Sequence, residues 1–214
     1  MRTQYIGERP GKMLVTEFVK CIDFPCLDVN KNCYTVPNVE IEPDKIKTIM
    51  ISEAPPQDPS DYFYAENSPF YMQTTAQAFR DAGLNVSSMK DVLNLAVYVT
   101  TAIKCGKTGY SISSETVENC SSILKKEIDL FPNVKAILLM GDTAIEAMNY
   151  IAKRNIGKRI IPSGSTYKIR KTKYFYKNVR VFPSYLQTGK SYLIEKSKRK
   201  MIAEDIKAAV STLG

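Results

Sequence analysis

The chain contains no histidine. That removes the side chain most often used for general acid–base work near neutral pH, so any catalysis must rest on other groups. No uninterrupted apolar run approaches the ~18 to 20 residues that span a bilayer, and the N-terminus "MRTQYIGERPGKMLVTEF" has no apolar signal core. A soluble, cytoplasmic protein with no membrane partner is the expectation. There is no Gly-rich phosphate loop, which argues against a nucleotide-dependent enzyme. Linkers, low-complexity tracts and internal repeats are also missing. The 214 residues, 44% of them hydrophobic, therefore read as one domain over 1–214 with a single full-sized core, and a monomer is expected.

What is present is strongly asymmetric in charge. The net charge is +8, yet from Lys153 to Lys200 fifteen Lys or Arg face a single acid, Glu195. A field this lopsided favours a polyanion, because each phosphate neutralised releases condensed counterions. A solvated basic surface that merely aids solubility is the plainer reading. Aromatics interleaved with the cations, among them Tyr167, Tyr174, Phe175 and Tyr176, could stack on unpaired bases or form the inward face of strands. Residues 161–178, "IPSGSTYKIRKTKYFYKN", read as a basic surface insertion.

Hydrophobic periodicity gives strands alternating with helices. "GKMLVTEFVKCI" (11–22) has helical spacing, "KIKTIMIS" (45–52) is a strand stopped by Pro55 and Pro56, and "FYMQTTAQAFRDAG" (70–83) is a helix closed by Gly83. "VLNLAVYVTTAI" (92–103) and "VKAILLMG" (134–141) have the near-continuous apolar character of buried strands. The amphipathic helix 114–131 lies between them, and Asp142 is placed to cap the helix that follows the second. "YKIR" and "KYFY" read as edge or hairpin segments, followed by "VRVF" and a long C-terminal helix from about Ser191. Strands separated by helices predict a three-layer α/β/α sandwich around a mainly parallel sheet of about four strands. In such sheets the carboxyl ends of the strands form the binding crevice. Those ends are Ser52-Glu53-Ala54-Pro55, Thr100-Thr101, Gly141-Asp142 and Phe182-Pro183-Ser184.

These four segments resemble the motifs of the uracil-DNA glycosylase superfamily, most of all its iron-sulfur branch of thermophiles and archaea. Ser52-Glu53-Ala54-Pro55-Pro56 is similar to the Gly-Glu-Ala-Pro-Gly that follows the family's first strand, and Pro69-Phe70 to a later Pro-Phe pair. Tyr98-Val99-Thr100-Thr101 before Lys104-Cys105 resembles Tyr-Ile-Thr-Asn before Lys-Cys. Met140-Gly141-Asp142-Thr143-Ala144 resembles a Leu-Gly-x-Thr-Ala turn, and Phe182-Pro183-Ser184 falls on His-Pro-Ser.

The resemblance implies base excision on DNA, single-stranded or damaged duplex, by hydrolysis of the N-glycosidic bond of a flipped base. Glu53 would be the catalytic carboxylate, while Ala54, Pro55, Phe70, Thr101 and Phe182 would line the base pocket. DNA contacts would come from Ser184, Tyr185, Leu186, Lys190, Lys196, Lys198 and Arg199. Two positions depart from the pattern. Thr101 stands where the family reads the base with Asn, and Phe182 stands where its His donates to the leaving base. Losing one preorganised donor of that kind typically costs ~10² to 10³ in turnover. A non-catalytic, iron-sulfur nucleic-acid-binding member is thus the second reading, and an α/β enzyme acting on a small molecule the third.

The five cysteines are an odd number, suited in a reducing cytosol to ligation or burial rather than disulfides. Cys21 and Cys26 form one pair and Cys105 and Cys120 a distant second, and the resemblance implies a [4Fe-4S] cluster on these four, with Cys33 able to replace Cys21 or Cys26. A four-cysteine zinc site and inert buried thiols are the alternatives.

Overall fold

The computed structural model describes residues 11–212, apart from the side chains of Lys190 and Ser191. In chain order these residues form β1 (Met13–Leu14), α1 (Val15–Phe18), β2 (Val29–Asn30), β3 (Glu40–Ile41), β4 (Thr48–Ser52), α2 (Phe70–Asp81), α3 (Met89–Asn94), β5 (Val97–Thr101), β6 (Gly106–Lys107), α4 (Ser114–Ile128), β7 (Ala136–Met140), α5 (Asp142–Ile156), α6 (Thr166–Ile169), β8 (Tyr174–Tyr176), β9 (Val179–Ser184), α7 (Lys190–Ile194) and α8 (Lys196–Ser211). The central sheet has the order β5-β4-β7-β9-β8; two small antiparallel pairs, β1 with β3 and β2 with β6, lie apart from it.

Every residue of β4, β5 and β7 is buried, as expected for strands covered on both faces. Their alternation builds two cores. Ile49, Ile51, Tyr98, Ile137, Leu139 and Val181 pack with α4 and α5 residues such as Leu124 and Met148. Met50, Val97, Val99, Leu138, Met140 and Phe182 pack on the opposite face with α2, α3 and α8, through residues such as Phe79, Val92 and Ile206. The layers are therefore α/β/α, with the sheet's carboxyl ends left open between them.

Local chemistry fixes the helix ends. Ser113 accepts from the N–H of Thr116 at the start of α4, and Ser88 with Asp91 closes a capping box on α3. Gly157, left-handed at φ +74°, ends α5. One buried ion pair ties the two layers on the α4 side. The Lys104 ammonium donates to Glu127, to the hydroxyl of Thr100 and to the carbonyl of Thr101 (2.6 Å), while Tyr98 donates to the same Glu127 carboxylate (2.6 Å). A pair this buried holds only because each polar group has its partner.

Several sequence expectations are corrected. The sheet has five strands and is mixed, because β8 adds antiparallel to β9 at the edge. "YKIR" is helical: Thr166 and Ile169, three apart and both buried, form the inward face of α6. Residues 11–22 hold the short β1 and one turn of α1, since β1 pairs with β3 rather than continuing a helix. The N-cap of α5 is Gly141, with Asp142 as its first residue. The C-terminal helix is divided into α7 and α8 at Glu195. Within the largely exposed segment 161–178, Ile161, Ile169, Tyr174 and Tyr176 are buried, and Asn149 holds the backbone of Ile160 and Ile161. No helix among the described residues is long and apolar enough to cross a membrane.

Candidate active site

At the carboxyl ends of the strands lies a cleft of about 350 Å³ lined by Glu53, Gly141, Asp142, Tyr185, Leu186 and Lys198, among others. Glu53 enters it directly after β4. Its carboxylate accepts from the Lys107 ammonium at 3.0 Å, and its backbone carbonyl accepts from Ile103 N–H at 2.9 Å, so both ends of the residue are held. Gly141 makes this placement possible. Its φ of +100° suits glycine alone, and a Cβ there would lie 2.8 Å from Glu53 Oε1. The Gly141 N–H donates to the Ser184 carbonyl (3.0 Å), which ties β7 to the end of β9. The carboxylate thus lies beside the first turn of the fifteen-residue α5, at the positive end of that helix.

Of the residues expected to form the base pocket, Ala54 packs in the core on the α4 and α5 face and Phe182 in the core on the α2 and α8 face, with the Arg180 guanidinium 4.5 Å above the Phe182 ring. Ala54 and Pro55 are buried, and Phe70 is half-buried at the start of α2, where its N–H donates to Asp61. Thr101 is fully buried and paired in register with Ser52, and among the described residues its hydroxyl has no hydrogen-bond partner. Tyr71 donates to the Ala54 carbonyl (3.4 Å) and lies against the Thr188 hydroxyl; burial raises its pKa.

The residues expected to face DNA divide into two groups. Ser184 is buried, donating to Asp205 (2.7 Å), which Arg170 grips through two nitrogens; this hydroxyl therefore points into the molecule. Arg199 forks onto Asp81 and lies over Tyr192, and Lys198 pairs with Glu195 at 2.6 Å. Tyr185 and Leu186 line the cleft, and Lys196 is exposed. The side chain of Lys190 lies outside the described residues. Beyond the expected set, Lys168, Lys171, Lys173 and Lys177 are exposed around α6 and β8, beside the exposed rings of Tyr167 and Phe175.

The cysteine expectation is overturned. Cys21, Cys26, Cys105 and Cys120 do line one small pocket of about 40 Å³ together with Phe24, Tyr34 and other side chains. Among the described residues, however, no three Cys, Asp or Glu side chains are grouped so as to hold a metal ion, which argues against both the [4Fe-4S] cluster and a zinc site. In the metal-free protein, burial, reinforced by the neighbouring cysteines, pushes the Cys105 thiol up to about 12, and burial pushes Cys120 up to about 11, so both are held as neutral thiols. Cys33 is no substitute, because it donates to the Gln57 carbonyl (3.0 Å) and accepts from Asn30 (3.1 Å).

Sequence reasoning missed Lys107 and gave Gly141 no role. Lys107 is far from Glu53 along the chain and reaches it only because β6 folds back, whereas the glycine was visible within Met140-Gly141-Asp142 as a residue ending a strand.

Residues 40–207 match the sequence profile of the uracil DNA glycosylase superfamily, from β3 to within α8 and including every segment of the cleft named above. Cys21, Cys26 and Cys33 fall before the matched residues. No curated protein matches the chain by sequence. With a match over well more than half its length, the chain belongs to the uracil DNA glycosylase superfamily.

Proposed function

We propose that the protein is a DNA glycosylase that hydrolyses the N-glycosidic bond of a damaged base flipped into the cleft. The observation that carries the reading is the held carboxylate of Glu53: a charged acid, only 17% exposed, oriented by Lys107 and by the absence of a side chain at Gly141. In the proposed step, water adds to C1′ of the sugar as the C1′–N bond breaks, and the base leaves with the bonding electron pair and takes up a proton. Glu53 would activate the water or balance the positive charge that develops on the sugar. Phe70 would offer a face for the extruded base, with Ala54, Pro55, Thr101 and Phe182 forming the pocket walls. Tyr185 and Leu186 would fill the vacated stack, while Lys196 and the exposed lysines around β8 would grip phosphates. Lys190 would join them. Action in the cytoplasm, as a monomer on single-stranded or damaged duplex DNA, belongs to the same proposal.

Phe182 has no proton to donate, which favours one rival: a member that binds DNA without cutting it. A panel of oligonucleotides carrying uracil, hypoxanthine or xanthine separates the two. Alkali-labile abasic sites formed at one of these bases support the glycosylase, and salt-sensitive binding with no abasic site on any of them supports the binding module.

A further inference from the structure

Three tyrosines line the cleft, and their surroundings differ. Tyr192 is buried and donates its hydroxyl to Asp81 (2.8 Å). Tyr185 is half-buried against the core on the α2 and α8 face, and the Lys198 ammonium lies 5.5 Å from the centre of its ring. Tyr110 is 100% exposed, and among the described residues it has no ring-stacking, cation–π or hydrogen-bond partner. A single exposed ring is common on protein surfaces and by itself shows nothing. This one differs in its place: of the exposed large apolar side chains among the described residues, Tyr110 is the one that lines the cleft, together with Glu53 and Asp142.

The loop that carries it, 108–113, joins β6 to α4 and begins directly after Lys107, the ion-pair partner of Glu53. Asp28 fastens both of its ends. The Asp28 carbonyl accepts from the Thr108 hydroxyl (2.8 Å), and its carboxylate accepts from the Ser113 N–H (2.6 Å) and from the Thr116 hydroxyl at the start of α4. Ile112 is half-buried against the core, so Gly109, Tyr110 and Ser111 are left as an exposed tip on fixed supports. A face presented in this way loses less freedom on binding than one on an untethered loop. Every nucleic-acid base has a π-face for a ring to stack on, whatever the sequence. We propose that Tyr110 is a substrate-binding residue whose ring stacks on an unpaired base at the mouth of the Glu53 cleft. This rests on the glycosylase reading for the site and deepens it by naming what holds the base there. Stacking needs no hydroxyl, so phenylalanine can replace Tyr110 in this role and alanine cannot.

The test uses wild type, Tyr110→Ala and Tyr110→Phe, and two duplexes that differ at one nucleotide. The first carries a mispaired uracil, hypoxanthine or xanthine on a 2′-fluoro sugar, which slows bond breaking so that binding is read without cutting; the second carries a reduced abasic sugar in its place. Because the ring is fully exposed, Y110A should melt within about 2 °C of wild type. Its affinity for the base-bearing duplex should fall by about 5- to 150-fold, the worth of one base–aromatic stack, with little change on the abasic duplex. Y110F should bind both as wild type does. Equal affinity of Y110A and wild type for the base-bearing duplex would overturn the inference, as would an equal loss on both duplexes, a loss in Y110F as large as in Y110A, or no binding by wild type. Single-turnover release from the same duplex with an ordinary sugar, run in parallel, keeps the two proposals apart. A base-dependent loss in Y110A with no release by wild type leaves the stacking role and removes the glycosylase reading. Release by wild type with unchanged binding in Y110A does the reverse.

Discussion

Gly141→Ala tests whether the placement of Glu53 matters to activity. The residue sits at φ +100° and ψ 168°, a region open in practice to glycine alone. Forcing alanine there costs about 1–3 kcal/mol, which for a protein of this size lowers the melting temperature by roughly 2–10 °C. The new Cβ would also lie 2.8 Å from Glu53 Oε1, closer than real Cβ atoms come, and 3.0 Å from Cγ and 3.1 Å from Cδ, tighter than nine in ten such contacts. The carboxylate must therefore swing away from its Lys107 partner. Displacing a catalytic group by about 1 Å can cost ~10² in rate. Gly157→Ala is the control, because that glycine is also left-handed at φ +74°, but nothing lies within 4 Å of its would-be Cβ. Both variants should lose stability in thermal unfolding, and only G141A should lose about 100-fold in single-turnover base release. G141A as active as G157A would refute the link between this glycine, the carboxylate and catalysis.

Three further outcomes follow from the same structure. Lys104→Met strands the buried Glu127 carboxylate and should cost about 3–5 kcal/mol in urea denaturation, part of which returns in K104M/E127L, where both charges are gone. Hydrogen bonds to the side chain and backbone of Ser87, and to Ser88, hold Asp91 down at about 2, below its usual value of about 3.9. The stability it contributes is therefore fully present above about pH 4 and lost as pH falls toward 2, and Asp91→Asn should flatten that part of an acid titration followed by circular dichroism. Replacing Lys168, Lys171, Lys173 and Lys177 together by Gln should weaken DNA binding and reduce the slope of log affinity against log salt by up to about 0.9 for each phosphate that is no longer neutralised. An unchanged slope would remove these lysines from the DNA interface.

The alternation of buried strands and amphipathic helices made the α/β/α layering legible, because β4, β5 and β7 are mostly apolar and are buried along their whole length. The edge was less so. Tyr174, Phe175 and Tyr176 alternate inward and outward and were legible as an edge or hairpin segment, but nothing local showed that this strand joins the central sheet as its fifth, antiparallel member. Periodicity over four residues could not separate a strand from the helical turn of α6. At the cleft, the strand-end segments contain Glu53 and Gly141, whereas the Lys107 ion pair exists only once distant segments meet. The cysteines illustrate the opposite error. Spacing brought four of them to one pocket, but spacing carries no information about how far apart the sulfurs sit or how apolar their walls are.

The most direct test of the account is single-turnover release of free base by wild type and by Glu53→Gln, which keeps the shape of the side chain and removes its charge. Wild type should release at least one deaminated base and leave an abasic site, and E53Q, still folded and still binding the oligonucleotide, should release it at least 100-fold more slowly. Equal rates in the two proteins would contradict the central role assigned to this carboxylate.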